Sequence, residues 1–156
     1  MAKEIERKFI INHIPKSLLG YKLKQGYLQS EKKRTVRIRT VEGKINKSYI
    51  TIKGVSNKAG LSRYEFETEI PFSDGVYMLE LCDLPLIEKT RYVYEINNVV
   101  WELDEFHGMN DGLLIAEVEL SSENQIIEIP NFIKKEVTGI KKYYNSNLQK
   151  HPYKMW

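Results

Sequence analysis

Polar and apolar residues alternate with a period of two along much of the chain. This pattern is typical of β-strands, whose successive side chains point to opposite faces. In the first stretch, EIERKFI, the side chains of Glu4, Glu6 and Lys8 would all leave one face of a strand. The same alternation, bounded by turn residues, predicts seven further strands. The eight predicted strands are Glu4–Ile10, Tyr21–Ser30, Thr35–Val41, Ser48–Lys53, Arg63–Ile70, Ile87–Ile96, Val99–Phe106 and Leu113–Leu120.

The segments between the strands carry turn residues and few helical patterns. VEGKINK, KGVSNKAG, INN and HGMNDG contain the Gly and Asn that hairpins need. Three short segments have helical character: Pro15–Gly20, Ser73–Leu81 with Ser73 or Asp74 as its cap, and Ile140–Leu148.

This succession of elements predicts a mainly β (α+β) fold. We expect a closed, eight-stranded antiparallel barrel with a few covering helices, because closure removes exposed strand edges. The length of 156 residues suits a single domain over residues 1–156, with its core at about 3–148.

Charged residues recur on one face of seven of the predicted strands, backed by an apolar face. They are Glu4, Glu6, Lys8, Arg37, Arg39, Lys53, Arg63, Glu65, Glu67, Glu69, Lys89, Arg91, Glu102, Asp104, Glu117 and Glu119. An antiparallel sheet can simply turn such a face to water. Two features favour a functional surface instead. Arginine, whose planar fork suits oxyanions, supplies most of the basic pairs. The signs are also segregated by strand, with acid-only faces on the seventh and eighth strands and basic-only faces on the third and sixth.

An inward orientation of the charged faces would have chemical consequences. Burial of unpaired charge is prohibitive, so the lumen would be wet and would hold compensating ligands. Clustered carboxylates call for a divalent cation, and oxygen donors favour Mg²⁺ or Mn²⁺. Clustered Arg and Lys call for a polyanion such as phosphate. The apolar faces would then be buried outside, under helices, together with Tyr64, Phe66 and Trp101.

Composition excludes several other classes of protein. The 24 Lys and Arg exceed the 21 Asp and Glu by only three, too few to indicate nucleic acid by themselves. The single cysteine, Cys82, excludes an internal disulfide and a cysteine-rich metal site. No apolar run approaches a membrane span and the N-terminus lacks a signal-peptide core, so we expect a cytoplasmic protein.

An ordered set of motifs resembles one known family. EIERKF resembles the ExExK signature of the CYTH domain, or triphosphate tunnel metalloenzyme, family. The later motifs follow the pattern of its short bacterial members in order, from Glu4 to about Leu148. They are KQGYLQ, TVRIRT, TIKG, SRYEFETEIP, LIEKTRY, WELDEFHG, AEVEL and EVTGIKKYYNSNL.

The resemblance implies a barrel whose tunnel binds a triphosphate together with a divalent metal, Mg²⁺ or Mn²⁺. The residues at metal-holding positions are Glu4, Glu6, Asp104, Glu117 and Glu119, with Glu102 less certain. Those at triphosphate-binding positions are Lys8, Arg37, Arg39, Lys53, Lys89 and Arg91. Tyr27, Lys8 and Arg39 would be catalytic, although Tyr27 could equally be a packing residue of the barrel. Arg63, Glu65, Glu67 and Glu69 would pair with the basic set.

The implied activity is metal-dependent hydrolysis of inorganic tripolyphosphate to pyrophosphate and phosphate. Three alternatives stay open: a class IV-type adenylyl cyclase, a nucleoside or thiamine triphosphatase, and a non-catalytic polyphosphate- or RNA-binding module. We expect a small-molecule triphosphate partner, no nucleic acid and no membrane. The oligomeric state is not fixed by the pattern, and a homodimer through the outer barrel surface is one candidate.

Overall fold

The computed structural model describes residues 3–156, so the first two residues of the predicted domain lie outside it. Within this range there are nine strands and two α-helices. The strands are β1 (Lys3–Ile11), β2 (Gly20–Glu31), β3 (Arg34–Glu42), β4 (Lys47–Lys53), β5 (Ser62–Ile70), β6 (Ile87–Ile96), β7 (Val99–Phe106), β8 (Leu114–Glu119) and β9 (Ile133–Glu136). The helices are α1 (Phe72–Glu80) and α2 (Asn145–Lys150). Single 3₁₀ turns occupy Gly108–Asn110, Lys141–Tyr143 and Tyr153–Met155.

Eight strands form a closed antiparallel ring in the order β1, β5, β4, β3, β2, β6, β7 and β8. The ring closes through β1, which places Glu4 opposite Arg63 on β5 and Lys8 opposite Glu117 on β8. The predicted closed eight-stranded arrangement is therefore confirmed. The short strand β9, which the alternation did not predict, pairs with the far end of β1.

The outward apolar face of β1, β7 and β8 forms the largest buried cluster. Phe9, Trp101 and Val118 are at most 2% exposed there, which confirms the predicted burial of Trp101. Ile14 and Phe132, from the segments after β1 and β8, pack over this face. The cover is therefore irregular chain and not the helices that the alternation led us to expect.

Helix α1 covers the outer face of β3 and β4. Ile38 of β3 packs against Leu79 of α1 and against Cys82, just beyond the helix. The approach is close at Gly75, where a Cβ atom would lie 2.1 Å from the Ser48 Oγ. Pro71 is the N-cap residue of this helix, with φ −53° and ψ 136°, and no side chain caps the helix. The predicted cap at Ser73 or Asp74 is therefore wrong.

The outer face of β5 departs from expectation. Tyr64 and Phe66 are 42% and 47% exposed, so their predicted burial is wrong. The reason is that α1 packs over the neighbouring strands β3 and β4.

Two predicted helical segments also differ. Pro15–Gly20 contains one turn, closed by the Leu18 N–H donating to the Pro15 carbonyl at 3.4 Å, because so short a segment cannot sustain a helix alone. The predicted helix Ile140–Leu148 is divided into a 3₁₀ turn and the later helix α2. In the described part of the chain, neither helix has the length and apolar character needed to span a membrane.

Candidate active site

The polar faces of the strands line a cavity inside the ring, as the inward orientation predicts. The cavity is narrow, with a volume of about 40 Å³. Five basic residues line it: Lys8, Arg37, Arg39, Lys53 and Arg63. Two carboxylates, Glu6 and Glu117, face the same space, together with Tyr27. Residues 144–146 of the C-terminal tail, which we define as residues 137–156, also line it. Basic side chains therefore outnumber acidic ones among the groups that face this space.

A fully buried ion-pair cluster lies on β6 and β7. Asp104, with no exposed surface, accepts hydrogen bonds from Arg91 Nε at 2.7 Å and Nη2 at 2.8 Å, and from Lys89 Nζ at 2.7 Å. Burial alone would raise the pKa of Asp104, but the charges of Arg91 and Lys89 hold it below its usual value. Arg91 also pairs with Glu102 at 2.8 Å. Both predicted basic residues are thus held by acids of the neighbouring strand.

Acidic residues of β1 and β5 pair with basic residues of the strands β3, β4 and β5. Lys53 Nζ lies 2.8 Å from Glu4 and 3.2 Å from Glu65. Arg37 Nη2 lies 3.2 Å from Glu67, and Arg63 Nε lies 3.6 Å from Glu4. Most of the predicted cations and carboxylates therefore neutralise one another across the strands.

Glu6 is an exception among the acids. Glu4 and Glu117 both pair with lysines, whereas Glu6 forms no ion pair within residues 3–156. Burial, followed by the charge of Glu117, raises the pKa of Glu6 to about 8. The charges of Lys53 and Lys8 lower the pKa of Glu6, but by less than burial and Glu117 raise it.

Arg39 is the corresponding exception among the bases. Its Nε donates to Gln25 Oε1 at 3.0 Å, and no carboxylate pairs with it in the described residues. Burial, followed by repulsion from Arg37 and Arg91, lowers the pKa of Arg39 to about 10. The guanidinium therefore faces the cavity without a compensating anion.

The predicted metal ligands do not form a ready-made cluster. Glu119 is exposed, on β8 opposite Glu6 of β1, while Glu4 and Asp104 are ion-paired. Between residues 3 and 156, no three His, Cys, Asp or Glu side chains lie close enough together to hold a metal ion. The roles of Glu4, Glu6, Asp104, Glu117 and Glu119 as metal ligands stay predictions.

Tyr27 lies in the cavity wall, although this does not test its predicted catalytic role. It is 4% exposed, and its hydroxyl oxygen accepts a hydrogen bond from Gln25 Nε2 at 3.4 Å. Sequence reasoning missed Gln25, which contacts both Tyr27 and Arg39. Gln25 lies two residues before Tyr27 on β2 and points to the same side. A search for polar as well as charged alternation would therefore have identified it.

The two ends of the cavity differ. One end opens into a mouth of about 630 Å³, which Arg39 also lines, with Tyr21, Val41 and Tyr49 beyond it. At the other end the inward positions of the strands become apolar and meet the C-terminal tail. That buried plug consists of Ile87, Phe106, Leu113, Ile115, Val137, Tyr143 and Leu148, with Ile10 packed against it. The tail therefore closes much of one end.

Comparison with known proteins agrees with this geometry. The model of the CYTH domain matches residues 2–151. The chain belongs to the CYTH domain family. EIERKF, the motif that suggested this membership, lies on β1 and places Glu6 and Lys8 in the cavity wall.

Two relatives and one solved structure cover nearly the whole CYTH chain. The chain is 47% identical to an inorganic triphosphatase of Acetivibrio thermocellus, over 99% of this chain and 97% of that protein. It is 32% identical to an inorganic triphosphatase of Nitrosomonas europaea, over 93% and 95% of the two chains. The crystal structure of the inorganic triphosphatase NE1496 superposes with a TM-score of 0.66 at 30% identity, over 96% and 95% of the two chains.

Proposed function

We propose that this CYTH protein is a metal-dependent triphosphatase that hydrolyses inorganic tripolyphosphate to pyrophosphate and phosphate. One molecule of water is consumed for each phosphoanhydride bond broken. The similarity to two inorganic triphosphatases over nearly the full chain supports this activity. The observation that carries the proposal is that one cavity holds two charged side chains, Glu6 and Arg39, that form no ion pair with any of residues 3–156.

A triphosphate would supply anionic partners to the basic side chains that face the cavity. The cavity lining has five basic and two acidic side chains, and guanidinium groups bind phosphate oxygens through paired hydrogen bonds. We assign triphosphate binding to the six predicted residues, Lys8, Arg37, Arg39, Lys53, Lys89 and Arg91. Arg39 is the most direct contact in this assignment, because no carboxylate has to be displaced from it.

The residues present also fit a divalent cation. Magnesium in phosphate-binding sites is usually held by one or two carboxylates, with water and substrate phosphates completing its coordination. Glu6 and Glu117 would supply that pair, and their oxygen donors suit Mg²⁺ or Mn²⁺. When bound, the cation neutralises charge on the phosphate oxygens. The raised pKa of Glu6 is consistent with this role, since a carboxyl poised to bind a cation is destabilised without one.

The protein side chains would contribute positioning and charge. Phosphoryl transfer needs little covalent help, because its transition state is stabilised mainly by fixed donors around the transferred group. Lys8 and Arg39 would bind the oxygens on which negative charge accumulates. The Tyr27 hydroxyl, which faces the same cavity, would orient the attacking water.

One observation favours a second substrate class. The mouth beyond Arg39 is wide and has two aromatic side chains, Tyr21 and Tyr49, on which a nucleoside base could stack. Nucleoside triphosphates, and with them the cyclase reaction, therefore form the alternative to inorganic tripolyphosphate.

A substrate panel separates these alternatives. Phosphate release would be measured in Mg²⁺ with tripolyphosphate, ATP, pyrophosphate and thiamine triphosphate, and cyclic AMP would be measured in the ATP reaction. We expect tripolyphosphate to be the fastest substrate and cyclic AMP to be absent. Formation of cyclic AMP at a rate comparable to phosphate release would overturn the choice of substrate.

A further inference from the structure

Three consecutive tail residues contact three cations inside the ring, of which Lys8 and Arg63 line the cavity and Lys89 is fully buried. The backbone carbonyl of Tyr143 accepts a hydrogen bond from Lys8 Nζ at 3.1 Å. The side-chain oxygen of Asn145 accepts one from Lys89 Nζ, also at 3.1 Å. Between them, the ring centroid of Tyr144 lies 5.5 Å from Lys8 Nζ and 5.6 Å from Arg63 Cζ.

This segment joins two separate parts of the wall. Lys8 belongs to β1 and Lys89 to β6, and β7 and β8 lie between these strands in the ring. The tail is anchored on both sides of the contacts, because Tyr143 and Leu148 are buried in the apolar plug. The acceptors for both lysines are therefore held at fixed positions.

The groups that the tail offers are neutral, unlike most cation partners elsewhere in the cavity. Lys89 and Arg91 pair with Asp104 and Glu102, so the charges of these four side chains balance. A neutral amide at position 145 directs the Lys89 ammonium without disturbing that balance. A carboxylate there would give the group a net negative charge and repel phosphate.

We propose that Asn145 is a positioning residue for Lys89. Its amide oxygen fixes the direction of the ammonium group, and its neutrality adds no negative charge beside the bound triphosphate. The inference rests on the proposed function, since it takes Lys89 to bind the substrate. It adds a residue of the C-terminal tail to a site otherwise built from strands.

Two variants separate orientation from charge. Asn145→Ala removes the acceptor but preserves net charge, so we expect kcat to fall about 10- to 100-fold with a smaller change in KM. Asn145→Asp keeps an oxygen in place but adds a negative charge, so we expect KM to rise at least about tenfold.

Asn147→Ala is the matched control. Asn147 lies two residues further along α2, and its amide donates to the Lys141 carbonyl at 2.6 Å, an exposed contact. Its kcat and KM should stay within about twofold of the wild type, as for most surface substitutions. Melting temperatures of all three variants would be recorded alongside the kinetics.

The possible outcomes are distinct. If both Asn145 variants behave like Asn147→Ala, or lose stability and turnover together without the expected separation of kcat from KM, the inference is wrong. If Asn145→Ala does not fold, the nearly isosteric Asn145→Asp decides alone, and an unchanged KM overturns the inference. If the wild-type protein does not hydrolyse tripolyphosphate, the proposed function fails instead.

Discussion

Two charged side chains of the cavity, Glu6 and Arg39, stand apart from the ion pairs around them. Most acids and bases pair at short distances, as Asp104 does with Arg91. Glu6 and Arg39 form no such pair within residues 3–156. The pKa of Glu6 is raised to about 8 and that of Arg39 is lowered to about 10, so both shifts favour the uncharged form. Strongly shifted groups in a cavity mark functional sites because folding alone would favour their replacement.

Arg39→Ala tests the role of the unpaired guanidinium. Loss of a fixed donor to the reacting phosphoryl group should lower kcat about 100- to 1,000-fold. Arg34→Ala is the control, because Arg34 lies on the same strand but is exposed. Steady-state phosphate release measures both. Near-normal turnover in a folded Arg39→Ala protein would remove Arg39 from the site.

Glu6→Gln tests the unpaired carboxyl through the pH dependence of stability without metal. The folded-state pKa of Glu6 is about 8, above the reference value of 4.5, so the native state binds this proton more tightly than the unfolded state. The contribution of Glu6 to stability is therefore present below pH 4.5 and is lost as the pH rises to about 8. Glutamine does not ionise and should abolish that loss.

Thermal unfolding in EDTA between pH 5 and pH 8 measures this effect. The melting temperature of Glu6→Gln should increasingly exceed that of the wild type as the pH rises. Added Mg²⁺ should stabilise the wild type and have less effect on the variant. Glu80→Gln, at an exposed position of α1, should follow the wild type. Parallel pH profiles for the wild type and Glu6→Gln would contradict the assigned surroundings of Glu6.

At the scale of the elements, the close approach of α1 to the sheet gives an unusual expectation for Gly75. Alanine normally stabilises a helix interior by about 1 kcal/mol relative to glycine. Here the new Cβ would lie 2.1 Å from Ser48 Oγ and 2.4 Å from Ser48 Cβ. Gly75→Ala should therefore destabilise the protein, by about 1–3 kcal/mol as in other overpacked cores.

Denaturant unfolding measures this change, and a second substitution shows its origin. Ser48→Gly removes both atoms that the new methyl group would meet. Gly75→Ala should therefore lower the free energy of unfolding less in the Ser48→Gly background than in the wild type. Stabilisation by Gly75→Ala in the wild-type background would mean that α1 lies further from β4 than the structure indicates.

Sequence periodicity predicts some elements well and others not at all, for physical reasons. The eight strands of the ring alternate over long stretches because one face is polar and the other is packed. The alternation therefore predicts all eight. Strand β9 has only four residues, too few for alternation to stand out. Pro15–Gly20 and the tail are held by contacts with distant strands, which local propensity does not contain. Exposure of Phe66 depends on where α1 packs, which is likewise non-local.

At the scale of the whole molecule, ring closure turns a repeated local pattern into a site. Seven of the eight strands show a charged face in the sequence, so most candidate residues could be identified before the structure. Which charges neutralise one another could not, because partners such as Lys53 and Glu4 are 49 residues apart. The closed end could not be predicted either, since it requires the tail to meet the apolar ends of several strands.

We propose that this ionic cavity hydrolyses inorganic tripolyphosphate with a divalent cation. ³¹P NMR of tripolyphosphate with the purified protein, in Mg²⁺ and in EDTA, tests this activity directly. We expect that, in Mg²⁺, the tripolyphosphate signals are replaced by equal molar amounts of pyrophosphate and phosphate, and that EDTA stops the conversion. Tripolyphosphate that persists in Mg²⁺, or conversion that continues unchanged in EDTA, would contradict the proposal.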